Sequence, residues 1–216
     1  VTHHMSVFNV GDLKRAVKFI PNGEARERLV EDALASKSLL ELHDEQGKNT
    51  GYYTTVEIRE EEEKLLRLSS YVASGKNVIA MGGLRATENA NRLIASVPDS
   101  FSSEQKLALS HLLMDESGVR IVRGRAGTGK SHVLGQVATI AKSCGVNVIG
   151  LAPTHKAREE LAKKPDFDQN DTVKGMLFKL RHGRFELPKY SLLVVDEAGM
   201  IGNEDYHELL RVAATR

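Results

Sequence analysis

The stretch GRAGTGKS, residues 124–131, decides the fold class of this chain. It fits the pattern G-x-x-x-x-G-K-[ST] and stands between an apolar run, VRIVRG, and a segment with helical periodicity. Glycines in such a loop let backbone N–H groups turn toward phosphate oxygens, and the N-terminus of the following helix adds partial positive charge. The sequence therefore predicts a phosphate-binding loop between a strand and a helix.

The side chains at the end of this loop suggest how a nucleotide and a metal are held. Lys130 would reach the β- and γ-phosphates and act in catalysis, and the Ser131 hydroxyl would bind Mg²⁺. We expect ATP as the nucleotide. The other nucleotide-binding candidates in this stretch are Gly124, Gly127, Thr128, Gly129 and His132.

Strand-like and helical segments alternate after Phe101. The runs VRIVRG, NVIGLA and SLLVVDEA read as strands, and residues 129–143, 154–163 and 172–180 read as helices. Such alternation implies an α/β fold with a parallel sheet that is flanked by helices, and ligands at the carboxyl ends of the strands.

Two acidic residues follow the last of these strands. Asp196 can hold Mg²⁺, as a second-strand aspartate does in P-loop enzymes. Glu197 can orient and deprotonate a water for attack on the γ-phosphate, which a kinase would avoid. The pair therefore favours hydrolysis of ATP over transfer of its phosphate.

The first part of the chain has a different pattern. Two short helices precede a hairpin, LLELHDEQGKNTGYYTTVEI, in an order that resembles a winged-helix module. A third helix is predicted from about Val56, capped by Thr55, and a short fourth one after Thr87. We place a boundary near Pro98, between an N-terminal α+β accessory domain (residues 1–97) and an ATP-binding domain (residues 98–216).

Composition limits the function classes. The chain has 216 residues, 41% hydrophobic and 27% charged, with a net charge of +1 and one cysteine. We expect no membrane span, no internal disulfide, a cytoplasmic location and no implied oligomer. The start does not resemble an intact N-terminus, so we expect a fragment. Five basic residues in 174–189 fit a solvated face better than a phosphate-binding surface.

Three motifs in order resemble those of a known family. GRAGTGKS, APTHKARE (residues 152–159) and VVDEAGM (residues 194–200) are similar to motifs I, Ia and II of superfamily 1 helicases, in the branch with RecD and the conjugative relaxase-helicases. DEAGM and the upstream FSSEQKLAL are especially similar to the helicase part of Ti-plasmid-type conjugal transfer relaxases, the TraA type. The likeness is weaker before residue 100.

This resemblance implies a RecA-like P-loop motor domain that binds ATP, Mg²⁺ and single-stranded DNA. It places Gln105 at the adenine edge, although Ser102 and Gln105 also fit a helix capping box, and the residues leave both readings open. It implies DNA contacts from Thr154, His155 and Lys156, and from Thr172 in the next motif. With this resemblance, the basic residues of 174–189 gain weight as an electrostatic track for single-stranded nucleic acid. Phe178 and Phe185 could stack on bases, but core burial is the better expectation for both.

Other parts of the family pattern do not follow in the sequence. We find no Gly-Asp-x-x-Gln sensor, no second motor domain with an arginine finger, and no relaxase signature of clustered histidines with a nucleophilic tyrosine. We therefore expect an incomplete helicase that is weak or inactive alone. Two alternatives stay open: a non-catalytic DNA-binding or interaction fragment of a degraded transfer gene, and another P-loop kinase or ATPase.

Overall fold

A computed structural model of the chain describes residues 6–76, 79, 83–125, 127–163 and 167–215. The chain divides into two compact units, residues 1–66 and residues 67–216. None of the helices in these described ranges is long and apolar enough to cross a membrane.

The first unit combines helices with a small antiparallel sheet. Its elements are β1 (Phe8–Asn9), α1 (Val10–Ala16), α2 (Gly23–Leu34), β2 (Leu39–His43) and β3 (Asn49–Thr55). The strand order is β1–β3–β2, and β2 and β3 form the predicted hairpin. Asp44 shapes its turn, because the Asp44 carboxylate accepts hydrogen bonds from the backbone N–H groups of Gln46 and Lys48.

A long helix, α3 (Val56–Ala73), follows the hairpin directly. The Thr55 hydroxyl accepts a hydrogen bond from the backbone N–H of Ile58 at 3.3 Å. This contact satisfies one of the free N–H groups of the first turn, so the predicted cap is confirmed.

The second unit carries a parallel sheet. Its elements are α4 (Gly83–Ala95), α5 (Ser103–Met114), α6 (Lys130–Ser143), β4 (Asn147–Ala152), α7 (His155–Ala162), β5 (Gln169–Thr172), α8 (Val173–Arg181), β6 (Ser191–Val195) and α9 (Asn203–Ala214). The strands lie in the order β5–β4–β6, and β4 pairs in parallel with both neighbours. The predicted α/β fold is confirmed.

Helices cover both faces of this sheet. Successive residues of a strand point to opposite faces, and the two hydrophobic clusters of the unit divide accordingly. One cluster joins Val148 to α4, α5 and α6. The other joins Ile149 and Leu151 to α8 and α9. Because β4 is buried on both sides, it is apolar along nearly its whole length.

The prediction that VRIVRG forms a buried strand is wrong. Residues 119–124 have no regular strand pairing, and Ile121 is 68% exposed. A strand needs a hydrogen-bonded neighbour, and among the described residues β6 pairs only with β4. A cavity of about 1790 Å³ is lined by this segment, by β6 and by α9.

Two further elements differ from expectation. The strand β5 was missed because its sequence, QNDT, is polar and short; backbone hydrogen bonds to β4 hold it at the sheet edge. Helix α4 begins at Gly83 rather than after Thr87. The connector before it, residues 77–82, lies outside the described residues except for residue 79.

The two compact units divide between residues 66 and 67, whereas the predicted domain boundary lies near Pro98. The physical reason is that Ala90 in α4 and Val97 pack in the same hydrophobic cluster as Leu109. A functional boundary near Pro98 stays a prediction.

Asp168 links α6 to the sheet through two contacts of its carboxylate. Its carboxylate accepts a hydrogen bond from the Val148 backbone N–H at 2.8 Å and lies 2.9 Å from the Lys142 ammonium. The hydrogen bond from the Val148 N–H, and to a lesser extent the contact with Lys142, hold the pKa of Asp168 below its ordinary value. A depressed pKa stabilises the fold above the unfolded value of about 3.9, and this contribution is lost as pH falls through the folded pKa.

We therefore expect Asp168→Asn to lower Tm at pH 7 by about 2–4 °C, which corresponds to a loss of about 1 kcal/mol after allowance for partial exposure. The difference from the parent should shrink below about pH 4. Thermal unfolding monitored by circular dichroism measures both. Asp99→Asn is the matched control, because Asp99 is fully exposed beside Lys106. Equal effects of the two variants would contradict the assignment.

Candidate nucleotide-binding site

The phosphate-binding loop owes its shape to two glycines. Gly127 and Gly129 both have φ near +79°, a left-handed conformation that residues with a Cβ rarely adopt. Gly129 is also the N-cap of α6 and has no side chain to cap it. The start of α6 therefore has no side-chain cap, which suits an anion site at a helix N-terminus. Ala126 lies outside the described residues.

Lys130 folds back over the loop. Its ammonium donates hydrogen bonds to the backbone carbonyls of Gly124 at 2.7 Å and Arg125 at 2.8 Å. The Thr128 hydroxyl donates to the same Arg125 carbonyl at 2.9 Å. The positive charge is therefore held at the loop, and contact of Lys130 with phosphates stays a prediction.

The next two residues occupy the exposed first turn of α6. Ser131 is exposed beside Lys130. The His132 ring lies 4.4 Å from the ring of Phe101, centroid to centroid, and Phe101 is buried. His132 is thus held against the core by an aromatic contact that its sequence position did not indicate.

The two acids follow β6 as predicted, with a backbone feature that sequence reasoning missed. The Asp196 N–H donates to the Leu151 carbonyl at 3.0 Å, which extends the pairing of β4 and β6 by one residue. Glu197 has φ +52°, in the left-handed region that non-glycine residues seldom occupy. Its N–H donates to the Asp196 carboxylate at 3.0 Å. Strain of this kind costs about 1–3 kcal/mol and clusters at functional sites.

The loop and the acids share one cavity. The space of about 1790 Å³ beside β6 is lined, among others, by Gln105, Gly124, Thr128, Lys130, Asp196 and Glu197. Most of the predicted nucleotide site, some 90 residues of sequence from end to end, is therefore gathered at one place. In the described parts of the chain, no three His, Cys, Asp or Glu side chains cluster to hold a metal without other ligands.

The DNA-contact candidates lie at the same edge of the sheet, because parallel strands end together. Thr154 follows β4, and its hydroxyl caps α7 by accepting from the Ala157 N–H at 3.2 Å. His155 and Lys156 are exposed in the first turn of α7. Thr172 ends β5 and is buried; its hydroxyl caps α8.

The basic run in residues 174–189 is mostly paired. The Lys179 ammonium lies 2.7 Å from the Asp171 carboxylate, and the Arg181 guanidinium donates to Glu208. Lys174 lies 3.9 Å from Asp205. These ion pairs favour the solvated face indicated by charge alone, and an electrostatic track for DNA stays a prediction.

One expectation about the aromatic residues is wrong. Phe178, expected in the core, is 47% exposed. Its ring contacts His182, with centroids 4.1 Å apart, and the Arg184 guanidinium lies 5.5 Å from its centroid. The reason is the helix face: Met176 and Leu177 fill the core side of α8. Phe185 packs partly buried against the same cluster.

The relatives of this chain each match about half of its length. The protein described as "Probable conjugal transfer protein TraA" of Sinorhizobium fredii is 32% identical over 102 residues, 47% of this chain and 9% of the relative. The "Conjugal transfer protein TraA" of Rhizobium radiobacter is 30% identical over 106 residues, 49% of this chain and 10% of that protein. The "ATP-dependent RecD2 DNA helicase" of Deinococcus radiodurans is 37% identical over 108 residues, 47% and 14% of the two chains.

These alignments cover a small part of each relative, and they confirm the resemblance inferred from the three motifs. A family model described as "AAA domain" matches residues 100–216, more than half of the chain and the part that holds the loop, the two acids and the parallel sheet. The chain therefore belongs to the AAA domain family, in a group whose relatives include TraA conjugal transfer proteins and a RecD2 helicase.

Proposed function

We propose that this chain is the ATP-binding and ATP-hydrolysing part of a DNA helicase that acts in conjugative DNA transfer. The observation that carries the proposal is the single cavity lined by the phosphate-binding loop and by the two acids after β6. The named relatives support the biological setting, since they are conjugal transfer proteins and a DNA helicase. In this proposal residues 98–216 form the motor domain, residues 1–97 form an accessory domain, and the protein acts in the cytoplasm.

The loop would bind the triphosphate of ATP. Backbone N–H groups of Gly127, Gly129 and the first turn of α6 would donate to phosphate oxygens. The Lys130 ammonium, now bound to two carbonyl oxygens, would exchange them for the more strongly accepting β- and γ-phosphate oxygens. In the new hydrogen bonds both donor and acceptor would carry charge, whereas in the present ones only the donor does.

The residues present also fit a magnesium ion. Mg²⁺ is bound in such sites by one or two protein oxygens together with phosphates and water. Ser131 offers an exposed hydroxyl, and Asp196 offers a carboxylate at the end of β6. When bound, the ion would neutralise phosphate charge.

Glu197 would act as the general base. It lies one residue beyond Asp196, is exposed, and lines the cavity with Lys130. Its carboxylate would accept a proton from a water as the water oxygen bonds to the γ-phosphorus and the bond to the bridging oxygen breaks, giving ADP and phosphate. A left-handed backbone would help to hold this carboxylate in one orientation.

Single-stranded DNA would run along the carboxyl edge of the sheet. His155 and Lys156 are exposed there at the N-terminus of α7, where N–H groups and positive charge suit phosphates. Thr154 would contribute beside them. Thr172 is a weaker candidate for DNA contact, because its hydroxyl is buried and already caps α8. Stepping along DNA would require a second motor domain that closes over ATP.

Lys130→Ala tests the loop assignment. We expect Mg-ATP affinity to fall by about 10–100-fold, because two or more charge-assisted hydrogen bonds to phosphate are lost. Isothermal titration calorimetry measures it, with Lys163→Ala as control, since Lys163 is an exposed lysine paired with Glu160. A Lys130→Ala protein that binds Mg-ATP as tightly as the parent would refute the assignment.

Glu197→Gln tests hydrolysis separately from binding. The variant should keep Mg-ATP affinity and lose phosphate release by about 10²–10⁴-fold, the usual contribution of a general base. Single-turnover phosphate release measures the rate without a need for fast cycling. Glu204→Gln, an exposed acid in the first turn of α9, is the matched control. Equal rates in parent and Glu197→Gln would exclude Glu197 as the base.

Lys156→Ala tests the DNA edge. Affinity for a single-stranded oligonucleotide should fall uniformly across sequences, and the salt slope of log K should become shallower by about one phosphate contact. Fluorescence anisotropy at several salt concentrations measures both, with Lys163→Ala at the other end of α7 as control. An unchanged salt slope would remove Lys156 from the DNA path. DNA binding by a chain that binds no nucleotide would favour a non-catalytic DNA-binding fragment.

A further inference from the structure

The side-chain amide of Gln105 joins the start of α5 to the phosphate-binding loop. Its Oε1 accepts a hydrogen bond from the Ser102 backbone N–H at 3.0 Å, and the Ser102 hydroxyl accepts from the Gln105 backbone N–H at 3.2 Å. These two bonds form a capping box. In addition, Nε2 donates to the backbone carbonyl of Thr128 at 3.1 Å.

The third contact was not foreseen. The sequence left two readings open for this residue, a helix cap and a contact with the adenine edge. The cap is confirmed, and the same amide reaches across 23 positions of sequence to the loop. A glutamine amide offers donors at one end and acceptors at the other, so one end can cap while the other holds the loop.

The amide also packs directly on the loop backbone. A Cβ placed on Gly129 would lie 2.4 Å from Gln105 Nε2. Gly129 is the N-cap of α6, and its neighbour Thr128 supplies the carbonyl that Nε2 binds. Gln105 therefore touches the two loop residues just ahead of Lys130.

The loop needs such a tether for a physical reason. Gly127 and Gly129 have no Cβ to restrict φ, and glycine loses more conformational freedom on ordering than any other residue. A loop that is ordered before the ligand arrives spares binding that entropy. Contacts among Gly124, Arg125, Thr128 and Lys130 are local, whereas the Gln105 contact anchors the loop to a separate helix.

We infer that Gln105 is a positioning residue that fixes the phosphate-binding loop, so that it sets the affinity for the triphosphate whatever base the nucleotide carries. This inference rests on the proposed function, since it assumes that the loop binds a nucleoside triphosphate. It differs from the adenine-edge reading in one measurable respect. A contact with adenine affects ATP alone, whereas a contact with the loop affects every triphosphate ligand equally.

The test compares three ligands with Mg²⁺ on the full chain: ATP, GTP and inorganic tripolyphosphate, which has no base. Gln105→Met removes both polar ends of the amide at similar size and without a change of charge. We expect it to weaken all three ligands by the same factor, about 3–10-fold, the range for one lost hydrogen bond. Ser102→Ala is the control, because it weakens the cap but leaves both contacts of the amide; it should change no affinity by more than about 2-fold.

The outcomes separate the two proposals. A loss confined to ATP, or no loss for any ligand, would overturn the positioning role while the proposed function stands. A parent chain that binds none of the three ligands would overturn the proposed function and this inference together. Gln105→Asn, a neutral amide one methylene shorter, gives the same comparison if Gln105→Met does not fold. Melting curves of each variant separate a stability loss from a loss of affinity in the native state.

Discussion

The parallel pairing of β4 with β5 and β6 is the constraint on which the candidate site depends. In this register Ala152 pairs with Thr172, and Leu151 pairs with Val195. All three strands therefore end at the same height. Asp196, Thr154 and the start of α8 come to one edge as a result, although they are separated by tens of residues in sequence. A shift of one residue in either pairing would turn a strand's buried side chains to the opposite face, which the two hydrophobic clusters oppose.

Left-handed backbone conformations occur both at glycines and at a glutamate near this edge of the sheet. The loop uses Gly127 and Gly129 for left-handed turns, where no side chain is needed. After β6 a left-handed turn occurs at Glu197 instead, whose carboxylate is the proposed general base. A positive φ is unfavourable for Glu197, whereas it costs Gly127 and Gly129 little. Glycine at position 197 would relieve this strain but would remove the carboxylate; Tyr190, with φ +56°, is the other described non-glycine residue in the left-handed region.

Much of the fold and of the nucleotide site was predictable, and the failures have physical causes. GRAGTGKS and the acids after SLLVV were found because such chemistry demands set residue types in a set order. The helix caps at Thr55 and Ser102 were found because capping is local. The strand β5 was missed because backbone pairing alone forms it, and residues 119–124 were misassigned because an apolar run does not reveal whether a neighbouring strand is present. The exposure of Phe178 and the reach of Gln105 to Thr128 depend on tertiary contacts that spacing does not encode.

The carbonyl contacts of Lys130 have a consequence for ligand selection. The Lys130 ammonium donates hydrogen bonds to the carbonyl oxygens of Gly124 and Arg125, so these two oxygens compete with any ligand for it. An incoming molecule must outcompete two neutral acceptors that are covalently tethered and never diffuse away. An oxygen with substantial negative charge displaces these carbonyls favourably, because it accepts a stronger hydrogen bond from the ammonium. Competition from these two carbonyls thereby favours anionic ligands over uncharged ones at the Lys130 ammonium.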